Sequence, residues 1–325
     1  MTAAPDTLPK PPEPGRPAEA RKPTKDKDTG KDKGPGPRRT ALPYLMLAPG
    51  ILWLVLFFIV PMVTVFTSSV ETGNIDDGYA LTWHWANFSY ALRTYWPEMS
   101  RSLVYSLLTT VFCIALAFPL SYFIAFKAGR WKNLLMALVI APFFTSYLIR
   151  TLAWRTILAD NGTVVSVLKD LHLTNFMHFV GLTNSNSSVL ESTASVVCGM
   201  VYNFLPFTVL PLYASLEKID PRLLEAGSDL YGSAWATFRK VTFPLALPGV
   251  VGGTLLTFIP AIGDYTNAVA LGGPKNTVIG TKIEFLTIGT GGDVPSGAAL
   301  SVVLMVATLI MVLFYIKKAG TEELL

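Results

Sequence analysis

Six long stretches of this chain contain no Asp, Glu, Lys or Arg residue. They cover residues 41–70, 102–126, 133–149, 192–216, 241–263 and 294–316. A bilayer core about 30 Å thick is crossed by about 20 residues of α-helix, so each stretch is long enough, or nearly so, to span a membrane. We therefore predict an all-α membrane protein with six transmembrane helices.

The third stretch is the shortest of the six. We expect its helix to continue past Arg150 towards Trp154, with the arginine near the outer membrane interface. The first stretch is too long for a signal-peptide core and is preceded by forty residues. It is therefore interpreted as the first span.

Composition supports a membrane protein with one polar extension. The chain has 325 residues, of which 51% are apolar and only 15% are charged, and its mean hydropathy is +0.45. The formal net charge of +4 is contained within residues 1–40, so it gives no indication of nucleic-acid binding. We predict a disordered cytoplasmic tail over residues 1–40, a membrane domain over 41–318 and a short cytoplasmic tail over 319–325. Attraction of the first tail to anionic lipid head groups is an alternative interpretation.

The distribution of basic residues predicts the orientation of the chain. If the N-terminal tail is cytoplasmic, the inner segments hold nineteen Lys and Arg residues and the outer loops hold five. Cytoplasmic loops of membrane proteins carry this excess of positive charge. Both termini and the loop at residues 217–240 are therefore expected on the cytoplasmic side.

The fourth and fifth spans are interrupted by proline and glycine. Pro206 and Pro211 lie in the fourth, and Pro244, Pro248 and Pro260 lie in the fifth. Backbone groups freed by proline must find protein or water partners in a membrane, so such helices tend to line a path. Polar residues at the same depth, among them Asn203 and Tyr147, either line that path or bond neighbouring helices together.

Nothing in the sequence indicates an enzyme. The three histidines, His84, His172 and His178, lie in predicted outer loops without metal-ligand spacing. The phosphate-binding pattern GxxxxGK[ST] is absent from the sequence. We therefore expect no cofactor, metal or catalytic residue in this chain, and an energy source on another chain.

Residues 220–244 form a charged segment between the fourth and fifth spans, DPRLLEAGSDLYGSAWATFRKVTFP. Asp220 is suited to cap a helix, and Pro221 is suited to its first position. At helical spacing Leu223, Gly227 and Leu230 fall on one side of this helix.

This segment resembles the EAA loop of ABC importer permeases, with Glu225-Ala226-Gly227 as the opening triplet and Val241-Thr242-Phe243-Pro244 at the expected distance. It departs from the family pattern in having Gly227 for the second alanine and Tyr231 at the usual glycine position, with Gly232 one residue later. The resemblance implies a coupling helix that docks on an ATP-hydrolysing subunit. The residues it implies for this coupling are Leu223, Leu224, Glu225, Ala226, Gly227, Asp229, Leu230 and Gly232.

Two further stretches resemble the spermidine/putrescine permease subfamily: PFFTSYLIRTLAW at 142–154 and FIPAIGDY at 258–265. The similarity is to the B-type subunit and covers about residues 43–318. It implies the type I ABC importer fold in a bacterial inner membrane. The implied partners are a related second permease, an ATPase dimer that binds ATP and Mg, an extracellular or periplasmic solute-binding protein and membrane lipid.

A polycation such as spermidine needs carboxylates, aromatic faces or carbonyl groups along its path. The candidate path residues are Tyr147, Trp154, Asp160, Tyr202, Asn203, Asp264, Tyr265 and Glu284. For Asp264, a helix-end carboxylate bonded to nearby backbone is an equal alternative. Other members of the family carry iron, thiamine or phosphonates, and an ATP-independent secondary transporter is a further alternative.

Overall fold

The computed structural model describes residues 42–179, 183, 188–289 and 292–319. The two predicted tails lie outside this part of the chain, except that Ala319 ends the last helix. The chain divides into two units, residues 1–52 and residues 53–325. Residues 42–52 are helical, and the site considered below lies entirely within the second unit.

Helices and one strand pair make up the described residues. In the first half the helices are α1 (Leu42–Leu54), α2 (Val60–Ser69), α3 (Ala86–Thr94), α4 (Trp96–Phe126), α5 (Lys132–Ile140), α6 (Tyr147–Ile157), α7 (Thr163–Asp170) and α8 (Leu173–Phe179). In the second half they are α9 (Thr193–Glu217), α10 (Pro221–Tyr231), α11 (Ala234–Thr237), α12 (Phe243–Ile262), α13 (Tyr265–Leu271), α14 (Ile279–Thr287) and α15 (Val294–Ala319). Short π or 3₁₀ turns occupy Val55–Ile59, Gly129–Trp131, Ala141–Phe144, Phe238–Thr242 and Pro274–Asn276.

Five helical segments of the described chain are long and apolar enough to cross a membrane. They are Met46–Ser69, Trp96–Phe126, Thr193–Glu217, Ala234–Ile262 and Val294–Lys318. A bent pair, Gly129–Phe144 and Tyr147–Ile157, passes the same test jointly, and it brings the number to six if its two arms count as one span. By length and composition the described residues therefore hold five to six spans, against the predicted six.

The third span is broken before α6, so the expected single helix running past Arg150 towards Trp154 is divided in two. Pro142 lies in the 3₁₀ turn Ala141–Phe144, and Thr145 and Ser146 then adopt extended backbone conformations. The axes of the two arms differ by 96°. Proline cannot donate a backbone hydrogen bond within a helix, which favours a break at this point. As a result α6 forms a separate arm.

The core of the bundle is formed by α4, α9 and α12, which pack against one another. One apolar cluster contains Met200 and Phe204 of α9, and a second contains Leu212 and Leu216 of the same helix. Buried polar groups in this core are bonded between helices. Thr208 and Thr257 hydroxyls lie 2.6 Å apart, and Ser121 Oγ donates to the Val209 carbonyl over 3.3 Å. These polar groups therefore join helices, as expected for an apolar environment.

A short hairpin is the departure from the all-α expectation among the described residues. Strands β1 (Glu71–Asn74) and β2 (Gly78–Leu81) pair antiparallel. Asn87 Nδ2 fixes its base by donating to the Ser69 and Glu71 carbonyls at 3.0 and 2.9 Å. The hairpin therefore lies at the end of α2.

Small residues allow α12 to approach α9 closely. A Cβ atom placed on Gly249 would lie 2.8 Å from the Leu212 Cα atom and 2.7 Å from the Ser215 side chain. By contrast, a Cβ atom on Gly252 would meet only Pro211, at 3.5 Å, which is an ordinary contact. The two glycines therefore differ in how much space surrounds them.

This difference generates a matched test of the packing. We expect Gly249→Ala to destabilise the protein by about 1–3 kcal/mol through overpacking, and Gly252→Ala to have little effect. Thermal unfolding of both variants in the same detergent measures the difference. Equal melting temperatures for the two variants would contradict the close helix approach at Gly249.

Candidate functional site

A cluster of polar side chains lies where α6, α9 and α13 meet. The Tyr147 hydroxyl donates to Asp264 Oδ2 over 2.7 Å, and Asn267 Nδ2 donates to the Tyr147 hydroxyl over 2.6 Å. Asn267 Nδ2 also donates to Asp264 Oδ2. The Asp264 carboxylate therefore accepts two side-chain hydrogen bonds, from two different helices.

The same carboxylate caps the start of α13. Its Oδ1 atom accepts from the backbone N–H groups of Thr266 and Asn267 at 3.0 and 3.3 Å. Such a cap satisfies backbone donors that a helix start leaves free. The helix-end interpretation of Asp264 is thus observed, and the bonds to Tyr147 and Asn267 join that cap to a wider network.

Thr151 and Asn203 extend the network to α9. Thr151 Oγ1 lies 3.3 Å from Asn267 Oδ1 and 3.1 Å from the Tyr147 carbonyl. Asn203 Nδ2 lies 3.3 Å from both Thr151 Oγ1 and Asn267 Oδ1. Thr151 and Asn203 are each 1% exposed and Asn267 is fully buried. We name these five residues, Tyr147, Thr151, Asn203, Asp264 and Asn267, the polar network.

The polar network lies well inside the bundle. At the end of the bundle away from α10, the Leu271 carbonyl accepts from Glu191 N–H and Ser195 Oγ. Asn203 follows Ser195 by eight residues on α9, which corresponds to about 12 Å of helix. Asp264 follows the end of α12 by two residues, and α13 then runs from it to Leu271 at that end of the bundle.

Two groups at the network have unused hydrogen-bonding capacity. Asn203 Oδ1 is buried and accepts no hydrogen bond in the described structure. Arg150 has buried Nε and Nη1 atoms without an acceptor there, and its guanidinium lies 5.6 Å from the centre of the Tyr147 ring. Among the described residues, the one ion pair joins Lys132 to Glu217, so Asp264 has no cationic partner in that part of the chain.

Trp154 and Tyr202 lie apart from the polar network. Their rings form an edge-to-face pair with centroids 5.5 Å apart. Together with Cys198 and several leucine and valine residues, they line an apolar groove of about 450 Å³ between α4 and α9. The structure therefore places these two predicted path residues in an apolar surface.

The remaining predicted path residues are dispersed. Asp160 is exposed, and its carbonyl accepts from Lys169 Nζ over 3.3 Å. Tyr265 is exposed beside Asp264. A Cβ atom placed on Gly280 of α14 would lie 3.2 Å from the Tyr265 Cβ atom. Glu284 is half-buried on α14, and no hydrogen bond or ion pair joins it to Asp264 in the described structure. These three residues do not share the network with Asp264.

At the opposite end of α9, residues 220–232 form the predicted helix. Asp220 caps α10 by accepting from Arg222 N–H over 2.9 Å, and Pro221 occupies its first turn. Gly227 is buried, and a Cβ atom there would lie 3.0 Å from methyl groups of both Thr237 and Val241. Gly227, which stands where the family pattern has its second alanine, therefore lies at the point where α10 packs closely on the segment that follows it.

The shifted glycine also has a structural role. Gly232 ends α10 with φ of 66°, a left-handed conformation that glycine adopts without steric cost. Tyr231, at the usual glycine position, lies under the ammonium of Lys240, 4.4 Å from its ring centre. Gly232 therefore ends the helix, one residue later than the glycine of the family pattern.

The outer face of α10 is uncovered. Leu224 packs against the second apolar cluster, which contains Leu212 and Leu216, whereas Glu225, Ala226 and Asp229 are exposed. Leu223 and Leu230 share the side of the helix on which Gly227 lies, as their spacing predicts, but they are 50% and 75% exposed. An exposed face of leucines and carboxylates so close to the bundle is suited to contact with another protein.

The side chains of the polar network offer hydrogen-bond donors and acceptors that can bind and orient a polar group. Among the described residues no group of three or more His, Cys, Asp or Glu side chains is placed to hold a metal ion. The sequence analysis missed Thr151 and Asn267. Both could have been found from spacing, since Thr151 follows Tyr147 by one helical turn and Asn267 follows the capping Asp264 by three residues.

Comparisons with known proteins identify close relatives of the chain. Residues 96–319 match the family described as binding-protein-dependent transport system inner membrane component. The spermidine/putrescine transport system permease protein PotB of Escherichia coli (strain K12) is 34% identical over 266 residues, covering 81% of this chain and 92% of that protein. PotB of Salmonella typhimurium (strain SL1344) is also 34% identical, covering 81% and 88%. The inner membrane ABC transporter permease protein YdcU of E. coli is 30% identical, covering 69% and 72%.

Solved structures show the same fold at lower identity. A chain of a bacterial ABC transporter that imports alginate aligns with a TM-score of 0.60 and 19% identity, over 87% of this chain and 96% of that one. The alginate transporter in complex with its periplasmic protein aligns with a TM-score of 0.62 and 20% identity, over 84% and 92%. The expected ABC importer permease fold is therefore confirmed. The chain belongs to the family of inner membrane permease components of binding-protein-dependent ABC importers.

Proposed function

We propose that this chain is one of two permease subunits of an ATP-driven importer of polyamines, spermidine and putrescine, which it carries by alternating access. The PotB relatives are named for these solutes, and each is 34% identical to this chain over 81% of its length. The proposal assigns ATP and Mg binding to a separate ATPase dimer. In this scheme the chain performs no chemistry.

The observation that carries the proposal is the polar network. It places one carboxylate, Asp264, beside Tyr147 and two amide side chains, about 12 Å of helix inside the bundle. A carboxylate inside a membrane is costly and commonly marks the path of an ion or a substrate. An acidic group without a cationic partner among the described residues favours a cationic solute over a phosphonate.

The proposed docking surface for the ATPase is the exposed face of α10. Leu223 and Leu230 supply apolar area, and Glu225 and Asp229 supply negative charge. Gly227 lies against Thr237 and Val241, so a force on α10 would pass directly to the start of the fifth span. We infer a cytoplasmic location for this helix and for both termini from the excess of basic residues.

The other two proposed partners are a solute-binding protein, at the end of the bundle away from α10, and a second permease, at its side. A solute-binding protein would deliver polyamine at the end that carries the β1–β2 hairpin, away from α10. A related second permease would complete the path. One of the two alginate transporter structures is a complex with a periplasmic protein, which supports an arrangement of this kind.

Charge reversal at Glu225 tests the docking surface. Like charges brought together at an interface cost several kcal/mol, so Glu225→Lys is expected to reduce uptake by about tenfold or more. Less ATPase should co-purify with the variant, while its amount in the membrane stays normal. Asp76→Lys, in the turn of the hairpin at the other end, is the matched control for ATPase co-purification. Normal ATPase recovery with Glu225→Lys would remove the assigned role of this surface.

Solute uptake tests the transported class. Cells lacking this chain are expected to lose uptake of labelled putrescine and spermidine and to keep uptake of thiamine and ferric iron. Plasmid-borne copies of the gene should restore the lost activity. Loss of thiamine or iron uptake, with polyamine uptake intact, would keep the family and overturn the proposed solute.

A further inference from the structure

Removing α6 from the polar network would free a specific set of oxygen atoms. Tyr147 and Thr151 are the two network residues on α6, and their hydroxyls contact Asp264 Oδ2 and Asn267 Oδ1. Asn203 Oδ1 already lacks a donor. Without α6, Asp264 Oδ2 would keep only the Asn267 Nδ2 donor, Asn267 Oδ1 would keep only the Asn203 Nδ2 donor, and Asn203 Oδ1 would still have none. Three oxygens, one of a carboxylate and two of amides, would therefore each have room to accept a further hydrogen bond.

A primary ammonium group matches this set in number and in charge. It carries three N–H donors, and no acceptor, on one positive centre. Hydrogen bonds between an ammonium and a carboxylate are stronger than those between neutral groups. A neutral donor such as an alcohol would offer one hydrogen and no charge to the same three oxygens.

The backbone around α6 allows this helix to act as a movable element. It starts directly after the extended residues Thr145 and Ser146, at the 96° break of the third span. Much of its outer side is uncovered, with Leu148 and Leu152 at 60% and 54% exposed. Extended residues at the end of a helix are suited to absorb the backbone rotation of a hinge.

We propose that the Tyr147 and Thr151 hydroxyls are stand-in ligands that occupy, in the closed state, the site of a primary ammonium group of the solute. In the open state α6 withdraws, and the ammonium takes the oxygens of Asp264, Asn267 and Asn203. This inference rests on the proposed function and specifies its binding residues. The Arg150 guanidinium lies over the face of the Tyr147 ring, whereas Asp264 lies at its hydroxyl edge. Arg150 and Tyr147 both lie on α6, so the guanidinium would leave the site together with the stand-in hydroxyls.

The sign of one affinity change distinguishes a stand-in ligand from a direct one. Tyr147→Phe removes the hydroxyl and keeps the ring, so the closed state loses a hydrogen bond to a carboxylate. Apparent affinity for a ligand rises with the populated fraction of the binding-competent state. We expect Tyr147→Phe to bind putrescine about tenfold more tightly, equivalent to about 1.4 kcal/mol. A direct ligand would show the opposite change.

The measurement is equilibrium binding of labelled putrescine to the assembled importer in lipid nanodiscs, without its solute-binding protein. Thr151→Val should change affinity in the same direction, and Asn203→Leu should weaken binding. Tyr122→Phe, on α4 outside the network, is the matched control and should leave affinity unchanged. Fully N-methylated putrescine, which keeps the charge but has no N–H donor, should show no gain with Tyr147→Phe.

Several outcomes would overturn the inference while leaving the proposed function intact. Weaker binding by Tyr147→Phe would make Tyr147 a direct ligand, and unchanged binding would make it a structural residue. An equal gain for the methylated analogue would remove the role of the three N–H donors. If the unmodified importer takes up no polyamine in cells, the proposed function itself fails, and the uptake assay shows this separately.

Discussion

The constraint on which this structure depends is the cost of placing a carboxylate and several amides inside an apolar helix bundle. A polar group removed from water without a partner is destabilising by several kcal/mol, and an ionised one by more. Asp264 meets this constraint through two backbone and two side-chain hydrogen bonds. The bond from Tyr147 joins α6, a helix that a break separates from the rest of its span, to the start of α13, and Asn203 adds α9 through Thr151 and Asn267. The same interactions that stabilise the carboxylate therefore determine where the movable arm lies.

One helix connects this network with the proposed docking surface. From Asn203, α9 continues to Glu217, whose carboxylate bonds Lys132 of α5 over 2.7 Å. Asp220 then caps α10 three residues later. An exposed ion pair contributes little to stability, typically below about 1 kcal/mol. The position of the Lys132–Glu217 pair is more informative, because the pair joins the end of α9 to the first arm of the third span. Movement of α10 would therefore reach both arms of that span through rigid helices.

Much of the fold could be predicted from the sequence, because uncharged stretches and turn residues act locally. The spans, the Asp220 cap and the helix at residues 221–231 follow from composition and short-range chemistry. The break at Thr145 could not be separated from a continuing helix, since residues 133–157 remain largely apolar on both sides of it. The hairpin was missed because its strands have four residues each and little alternation. The position of Gly232 at the helix exit was recognised as a shift, but its left-handed backbone required the structure.

The sequence indicated which types of residue form the candidate site, but it did not indicate which of them lie together. Tyr147 and Asn203 were named for their polarity at membrane depth and Asp264 as a carboxylate for a polycation, and the three do meet in the structure. Trp154, Asp160, Tyr265 and Glu284 were also named as aromatic or acidic groups for a polycation and lie elsewhere. The difference arises from the rotation of each helix about its axis and from the 96° bend, which are tertiary properties. Thr151 and Asn267 were overlooked because a single threonine or asparagine near a helix start is common.

The central claim is that α6 leaves the bundle core when the importer opens. Spin labels at Leu152 on α6 and Leu256 on α12, both more than half exposed, would report this distance by pulsed electron resonance, with Cys113 and Cys198 replaced. The assembled importer should show a short distance without nucleotide and a longer one when ATP is trapped on the partner ATPase. The same distance in both nucleotide states would contradict the account.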